Sequence, residues 1–95
     1  MIDKENQEKI DFVISRIREE RENARMSQIE LAFAAGLSQN QVNCIETGRS
    51  IPNLYSLVKI SKALDIPLES LFVRPSDDRK KDAEQIISLV KKYMA

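Results

Sequence analysis

Residues 28–47 read QIELAFAAGLSQNQVNCIET and predict two short helices joined by a tight turn. Each helix begins with a capping box, which is a serine followed three residues later by Glu or Gln. The first box starts at Ser27 and the second at Ser38. Gly36 ends the first helix, because glycine readily accepts the left-handed conformation of a helix terminus. The residues expected to face inward are Leu31, Ala32, Ala35, Val42 and Ile45.

The outer face of the second helix is polar but uncharged. It presents Ser38, Gln39, Asn40 and Asn43, where a solvated helix surface more often carries Glu, Lys and Arg. An amide holds both donors and an acceptor, and Asn or Gln can bond adenine at two points in the major groove. Two interpretations follow: a helix that reads DNA, or a neutral polar surface.

The composition indicates one helical domain. Ninety-five residues fit a single domain, and 42% apolar with 32% charged residues is typical of a globular chain. Only two glycines, three prolines and five aromatic residues favour helix over strand. The single cysteine, Cys44, excludes an internal disulfide and suits a reducing, cytoplasmic setting. No apolar run reaches the roughly 20 residues of a membrane span, and the charged start lacks a signal-peptide core.

Nothing in the sequence predicts catalysis, a metal site or a cofactor. There is no histidine, no glycine-rich phosphate loop and no cluster with metal-ligand spacing. Ser27 and Ser38 are explained by capping rather than by a nucleophilic role. We therefore expect a binding protein rather than an enzyme.

The net charge is zero, but the charge is unevenly distributed. Residues 16–62 hold seven Lys or Arg against five acids, which gives +2, whereas residues 1–15 hold two against four, which gives −2. Phosphate contacts supply most non-specific affinity for nucleic acid. Weak non-specific binding is the expected consequence.

Outside the central stretch, the sequence predicts four further helices. A long helix covers 4–25, with its apolar stripe at Ile10, Val13, Ile14 and Ile17 and with Arg16, Arg18 and Arg25 expected on a solvated face. A fourth helix covers 54–64, with an apolar face formed by Leu54, Leu57, Val58, Ile60 and Leu64. Pro67 suits the first position of a short fifth helix that ends at Phe72.

A polar stretch with Pro75 then precedes a last amphipathic helix, so that we divide the chain into a domain at 1–73 and a linker with helix at 74–95. The apolar stripe of this helix comprises Ala83, Ile86, Ile87, Val90, Tyr93 and Met94. The stripe packs either on the preceding domain or on a second chain.

Residues 13–72 resemble the Cro/CI-type helix-turn-helix domain of the XRE family of bacterial and phage regulators. The resemblance is carried by Ile17-Arg18, Arg21, Met26-Ser27-Gln28, Leu31-Ala32, Ala35-Gly36-Leu37-Ser38, Val42, Ile45-Glu46-Thr47-Gly48-Arg49, Pro52, Leu57, Ile60, Ala63-Leu64 and Leu71-Phe72. It implies an all-α, lambda repressor-like fold of five helices, here with the additional C-terminal amphipathic helix.

The resemblance also implies roles for individual residues. Arg21 and Glu46 match a structural ion pair between the first helix and the recognition helix. Gln28 would contact phosphate or an outer base, and Gln39 with Asn40 would read base edges. The complete set expected to bind DNA is Gln28, Ser38, Gln39, Asn40, Gln41, Asn43, Cys44 and Arg49.

Two positions depart from the family pattern. Cys44 stands where a polar or small residue is common, and it remains open as a thymine-methyl contact, a packing residue or a redox-sensitive thiol. No Lys or Arg precedes Arg49 in the recognition helix, so that guanine readout by arginine is not expected from it. Arg49 itself is either a phosphate contact or an unpaired surface arginine.

The leading functional hypothesis is a homodimeric, sequence-specific regulator of double-stranded DNA. Two-fold symmetry would give a palindromic operator with half-sites about 34 Å apart. The dimer surface is expected at Ile86, Ile87, Val90 and Tyr93, or around Leu54, Tyr55 and Phe72. The alternative is an antitoxin or adaptor that uses the same fold to bind a protein partner. Small regulators of this kind include phage repressors, restriction–modification controller proteins and antitoxins.

Overall fold

The computed structural model describes residues 3–74, which form an all-helical domain without any strand. Helix α1 covers Lys4–Asn23, α2 Gln28–Ala35, α3 Gln39–Glu46 and α4 Leu54–Ala63, and a 3₁₀ helix covers Leu68–Leu71. None of these helices is long and apolar enough to cross a membrane. The predicted linker and last helix, with Ile86, Ile87, Val90 and Tyr93, lie outside the described residues.

Side chains cap the four α-helices at their N-termini. Asp3 accepts a hydrogen bond from the Asn6 amide before α1, and Asn53 accepts one from the Ser56 amide before α4. Ser27 and Ser38 form complete capping boxes before α2 and α3, as predicted. These caps satisfy amides that have no partner inside the helix, so that each short helix has a defined start.

One apolar core joins all five elements. Its buried members are Ile17 from α1, Leu31, Ala32 and Ala35 from α2, Val42 and Ile45 from α3, Leu57, Ile60 and Leu64 from α4, and Leu71 from the 3₁₀ helix. The three- and four-residue spacings of the sequence therefore identified the inward faces of α2 and α3 correctly. Burial of these side chains is the main favourable contribution to folding.

The structure corrects three expectations about the helices. Helix α1 ends at Asn23 rather than at residue 25, where Arg25 has a positive φ of 57°. Leu54 and Val58 lie outside the core of α4, with exposed fractions of 65% and 39%. The fifth helix is a single 3₁₀ turn, and Pro67 precedes it as its cap, with an extended ψ of 147°, instead of forming its first residue.

Arg16 contradicts the expectation of a solvated helix face. Its side chain is completely buried and donates to the backbone carbonyls of Ser70 and Val73. It also pairs with Glu19 at 2.9 Å and Glu20 at 2.8 Å. Arg16 therefore connects α1 to the end of the domain, which apolar periodicity could not indicate.

Candidate nucleic-acid interface

Helices α2 and α3 are joined through Gly36 and Leu37, and the geometry of the turn follows from local chemistry. Gly36 has a left-handed φ of 68°, and the Leu37 amide donates to the Ala32 carbonyl at 2.8 Å. At the start of α3, the Ser38 hydroxyl accepts from the Gln41 amide at 3.0 Å, and the Gln41 side chain accepts from the Ser38 amide at 2.8 Å. The direction of α3 relative to α2 is thus set from both sides of the turn.

The first turn of α3 is the exposed part of the predicted recognition surface. Ser38, Gln39, Asn40 and Gln41 are all exposed. Ser38 and Gln41 are engaged in the capping box, whereas Gln39 makes no side-chain hydrogen bond within residues 3–74. Gln39 and Asn40 are therefore the amides of α3 that are exposed and outside the capping box.

The next turn of α3 is half-buried and holds Asn43 and Cys44. The Cys44 thiol lies 3.8 Å from the Asn40 Oδ1 atom, which is a weak contact. Asn43 donates through Nδ2 to Gln28 Oε1 at 3.2 Å. Gln28 opens α2, so this contact joins the first residue of one helix to the middle of the other.

Glu46 is the anchor of α3 and is almost fully buried, with 2% of its side chain exposed. Arg21 donates to both of its carboxylate oxygens, from Nε at 2.8 Å and from Nη2 at 3.0 Å. Gln28 adds a third hydrogen bond from Nε2 at 3.3 Å. The residues that the family resemblance paired, Arg21 and Glu46, are thus in two-point contact between α1 and α3.

The environment of Arg21 favours its charged form. Hydrogen bonding to Glu46 raises the pKa of Arg21 above its usual value and outweighs burial, which acts in the opposite direction. The same side chain donates to the Met26 carbonyl at 2.9 Å, in the turn before α2. Arg21 therefore holds the two helices of the motif in fixed positions relative to α1.

The end of α3 has a second arginine contact. Arg18, expected on a solvated face, is 49% exposed and donates from Nη2 to the Glu46 backbone carbonyl at 2.6 Å. A cation at this position is favourable because the C-terminal carbonyls carry partial negative charge. Arg18 thus supports the helix end while part of its side chain remains in solvent.

Arg49 follows α3 on an exposed loop. Gly48 has a φ of 78°, and the amides of Arg49 and Ser50 donate to the Cys44 carbonyl at 2.9 Å and 3.1 Å. These two hydrogen bonds to one carbonyl fix the backbone at Arg49. The guanidinium of Arg49, in contrast, has no partner within residues 3–74. The arrangement leaves a cation free beside the end of α3.

Other kinds of site are absent from the described part of the chain. No group of three or more His, Cys, Asp or Glu side chains is arranged to hold a metal ion. Among the large apolar side chains of the described residues, Phe33 on α2 has the highest exposed fraction, 89%. Ile29, four residues earlier on the same helix, is 58% exposed. Apolar periodicity did not single out either residue.

One buried contact of the domain, that of Arg16, had a partial signal in the sequence. Glu19 and Glu20 follow Arg16 at three and four residues, and this spacing is typical of supporting ion pairs, although it says nothing about burial. The contact between Gln28 and Asn43 had no such signal, because it joins residues of different helices.

Comparisons with known proteins agree with this geometry. The Helix-turn-helix family model matches residues 17–71. A 60-residue segment is 38% identical to the uncharacterized HTH-type transcriptional regulator y4dL of Sinorhizobium fredii, covering 63% of the present chain. That segment spans 31% of the length of y4dL.

Two solved structures are similar in both fold and sequence. The restriction-modification controller protein C.AhdI from Aeromonas hydrophila superposes with a TM-score of 0.64 at 35% identity, over 70% of the present chain and 98% of its own. A hypothetical transcription factor, NHTF, from Neisseria has a TM-score of 0.67 at 28% identity, over 77% and 85% of the two chains.

Proposed function

The chain belongs to the helix-turn-helix family of the XRE, or Cro/CI, type, whose members are DNA-binding regulators and not enzymes, and on this basis we propose that it is a dimeric repressor-type regulator of a palindromic operator. The observation that carries the proposal is the first turn of α3, where Gln39 and Asn40 are exposed, uncharged and free of competing acids. Exposed amides at the start of a helix can enter the major groove and bond base edges.

Each residue of the proposed interface has a role that follows from its position. Gln39 and Asn40 read base edges, and Asn43 and Cys44 lie one turn further along the same helix. Ser38 and Gln41 approach the phosphate backbone through the N-terminal end of α3, where partial positive charge favours anions. Gln28 and Arg49 contact phosphates on either side of the groove.

The electrostatics of the chain support a regulator that depends on base contacts. The segment from 16 to 62 has a net charge of only +2, from seven basic and five acidic residues. A small excess of basic residues gives a weak non-specific complex. Discrimination between sequences must then come from the amides of α3.

The proposed dimer uses a second copy of the chain on the exposed apolar surface at the start of α4. Ile51, Leu54, Tyr55 and Val58 are 58%, 65%, 68% and 39% exposed, and their spacing puts them on neighbouring turns. An apolar surface of this kind is typical of an interface between chains. Residues 74–95, with Ile86, Ile87, Val90 and Tyr93, are the other candidate and are proposed as a separate packing or dimerisation element.

An alternative function is supported by a different surface. Phe33 and Ile29 are largely exposed on α2, and the net charge of the chain is zero, which suits a protein partner better than a polyanion. On this alternative the chain is an antitoxin or adaptor. The two functions differ in whether affinity for DNA exists and falls with salt.

The experiment that tests the proposal is binding to duplexes tiled across the DNA upstream of the protein's own gene, at two salt concentrations. The variants are Gln39→Ala with Asn40→Ala together, and Phe33→Ser as the matched control. Tight binding to one palindromic tile that the amide variant loses and the Phe33 variant keeps supports the regulator. Absence of binding to every tile would overturn it in favour of the protein-partner alternative.

A further inference from the structure

We propose that Gln28 is a positioning residue that holds the side-chain amide of Asn43 in one orientation, so that Asn43 selects an amino-bearing base. This inference rests on the proposed function, since it concerns how the same surface chooses its DNA. It assigns a specificity role to a residue at the opening of α2, which is outside the recognition helix itself.

Glu46 can only accept hydrogen bonds. Its carboxylate is 2% exposed and receives both donors of the Arg21 guanidinium, at 2.8 Å and 3.0 Å. An arginine remains protonated at all physiological pH values, so both carboxylate oxygens are engaged as acceptors of its N–H groups. Any third group that approaches Glu46 must therefore present a donor.

Arg18 Nε also lies 4.0 Å from Glu46 Oε1, and Gln28 is the uncharged group at this carboxylate, where the demand for a donor fixes its orientation. Its Nε2 atom donates to Glu46 Oε1 at 3.3 Å. Rotation of the amide by 180° would instead bring Gln28 Oε1 against the carboxylate, where two acceptors repel each other. The Oε1 atom of Gln28 is consequently directed away from the Glu46 carboxylate and towards the middle of α3.

Asn43 meets that oxygen and is oriented in turn. Its Nδ2 atom donates to Gln28 Oε1 at 3.2 Å, so that its own oxygen, Oδ1, lies on the opposite side of the amide. A flipped Asn43 would again bring two oxygens together. The pairing of Glu46 with Arg21 thus fixes the orientation of the Gln28 amide, and the Gln28 amide in turn fixes the orientation of the Asn43 amide.

The orientation matters for recognition because Asn43 lies one helical turn beyond Gln39 and Asn40. A free asparagine can flip, and it can then pair with either a donor or an acceptor on a base. The held amide directs Oδ1, an acceptor, away from Gln28, and the second hydrogen of Nδ2 stays available as a donor. Oδ1 matches bases with an amino donor in the major groove, which are adenine through N6 and cytosine through N4, and adenine can also accept the remaining N–H at N7. Guanine and thymine present acceptors, O6 and O4, at the corresponding edge.

The test is selection from a randomised duplex pool with the full-length protein, followed by sequencing of the bound fraction. The wild-type protein should enrich adenine or cytosine at one position of each half-site, by about fivefold or more, which is the lower range for a good base contact. The Asn43→Ala variant identifies that position by losing the preference there. Gln28→Leu and Gln28→Ala should reduce the same preference to about twofold or less.

The control separates this role from a general loss of stability or affinity. Asn40→Ala should alter a different position and leave the Asn43 position unchanged. Gln28→Leu is expected to lower affinity for all duplexes through its own phosphate contact, but only a positioning role removes the preference at a single position. Thermal melting of each variant verifies that the proteins are folded during selection.

The outcomes distinguish this inference from the proposed function. If the preference at the Asn43 position survives both Gln28 substitutions, the positioning role is wrong while the regulator remains. If the wild-type protein enriches no duplex, the proposed function fails and this inference fails with it. Loss of the preference at that one position, with the others retained, establishes it.

Discussion

The guanidinium of Arg16 holds the backbone carbonyl of Ser70 through two hydrogen bonds, at 3.0 Å from Nε and 2.7 Å from Nη2, across 54 positions of sequence. Nε also donates to the Val73 carbonyl at 2.8 Å. The polar ends of Glu19 and Glu20 neutralise the charge on the other side. Arg16 thereby attaches the last described turn of the domain to α1.

Replacement of Arg16 by methionine should destabilise the domain by about 3–5 kcal/mol, the usual cost of breaking a buried ion pair from one side. The substitution keeps much of the apolar volume but leaves two carbonyls and two carboxylates without their donor. Denaturant unfolding followed by circular dichroism measures the change. Lys9→Ala is the matched control on α1, since its contact with Glu5 at 3.7 Å is exposed and its removal should cost less than about 1 kcal/mol.

The pair of Arg21 and Glu46 should behave as one unit. Arg21→Ala is expected to cost about 3–5 kcal/mol because it leaves the Glu46 carboxylate buried without its main partner. Glu46→Ala should cost a similar amount, and the double variant should cost less than the sum of the two. A double-mutant cycle from melting curves measures the coupling. Additive effects would contradict an architectural role for the pair.

The stability that the capping box of α2 contributes should depend on pH, because Glu30 is part of that box. The hydrogen bond from the Ser27 backbone amide, with help from the Ser27 hydroxyl, lowers the pKa of Glu30 below the 4.5 of an unperturbed side chain. A lowered pKa means that the contribution to stability is present at neutral pH and is lost as the pH falls through the folded-state value. As the pH falls from neutral to below the unperturbed pKa of 4.5, the wild-type melting temperature should therefore fall further than that of Glu30→Gln.

The second capping box is the control for this pH effect. Gln41 holds the same position relative to Ser38 and does not titrate. Gln41→Ala should lower the melting temperature by a similar amount at every pH in the range. If Glu30→Gln and the wild-type protein respond equally to acid, the charged form of Glu30 contributes nothing to the cap.

Arg49 should contribute to affinity without contributing to specificity. Its backbone is held by the Cys44 carbonyl while its side chain is exposed, which suits a phosphate contact. Arg49→Ala should weaken binding to all duplexes alike and reduce the slope of log affinity against log salt by about one. Fluorescence anisotropy over a salt series measures both quantities. An unchanged slope would mean that Arg49 is an unpaired surface arginine and not a phosphate contact. Lys9→Ala is the control for the loss of a positive charge elsewhere in the chain.

Dimerisation through α4 should be sensitive to charge at its first turn. Leu54→Asp and Tyr55→Asp put a carboxylate into the proposed interface, yet an acid at a helix N-terminus does not harm the helix. Both variants should shift the protein towards monomer in sedimentation experiments, whereas Phe33→Asp, on α2, should leave the association unchanged. If only substitutions such as Val90→Asp in the C-terminal segment dissociate the protein, that segment forms the interface instead.

Local sequence patterns predicted the helix-turn-helix motif well. Each capping box spans only four residues and Gly36 acts on the end of its own helix, and the structure contains all three features as expected. The exposed first turn of α3 was also predictable, since Val42 and Ile45 fix which side of that helix faces the core. The fourth helix was predicted with correct bounds to within a residue, although Leu54 and Val58 were assigned to its buried face.

The buried polar contacts were less accessible to sequence reasoning. The Arg21–Glu46 pair came only from family resemblance, because 25 positions separate the two residues and no local pattern connects them. Arg16 was assigned to a solvated face since its neighbours are charged, and its burial depends on the carbonyls of a distant turn. The proposed DNA contacts at Gln39, Asn40 and Arg49 stay predictions that the binding experiments test.

The sequence by itself determined where the helices of the motif begin and end, which side of each is apolar, and that α3 presents amides rather than charges. These properties depend on neighbouring residues, on capping and on the period of the helix. Only the tertiary structure decided that Arg16 is buried, that Glu46 receives donors from α1 and α2, and that Gln28 meets Asn43. Such contacts join helices across gaps of 15 to 57 positions, and they exist only once packing of the shared core has brought the helices together.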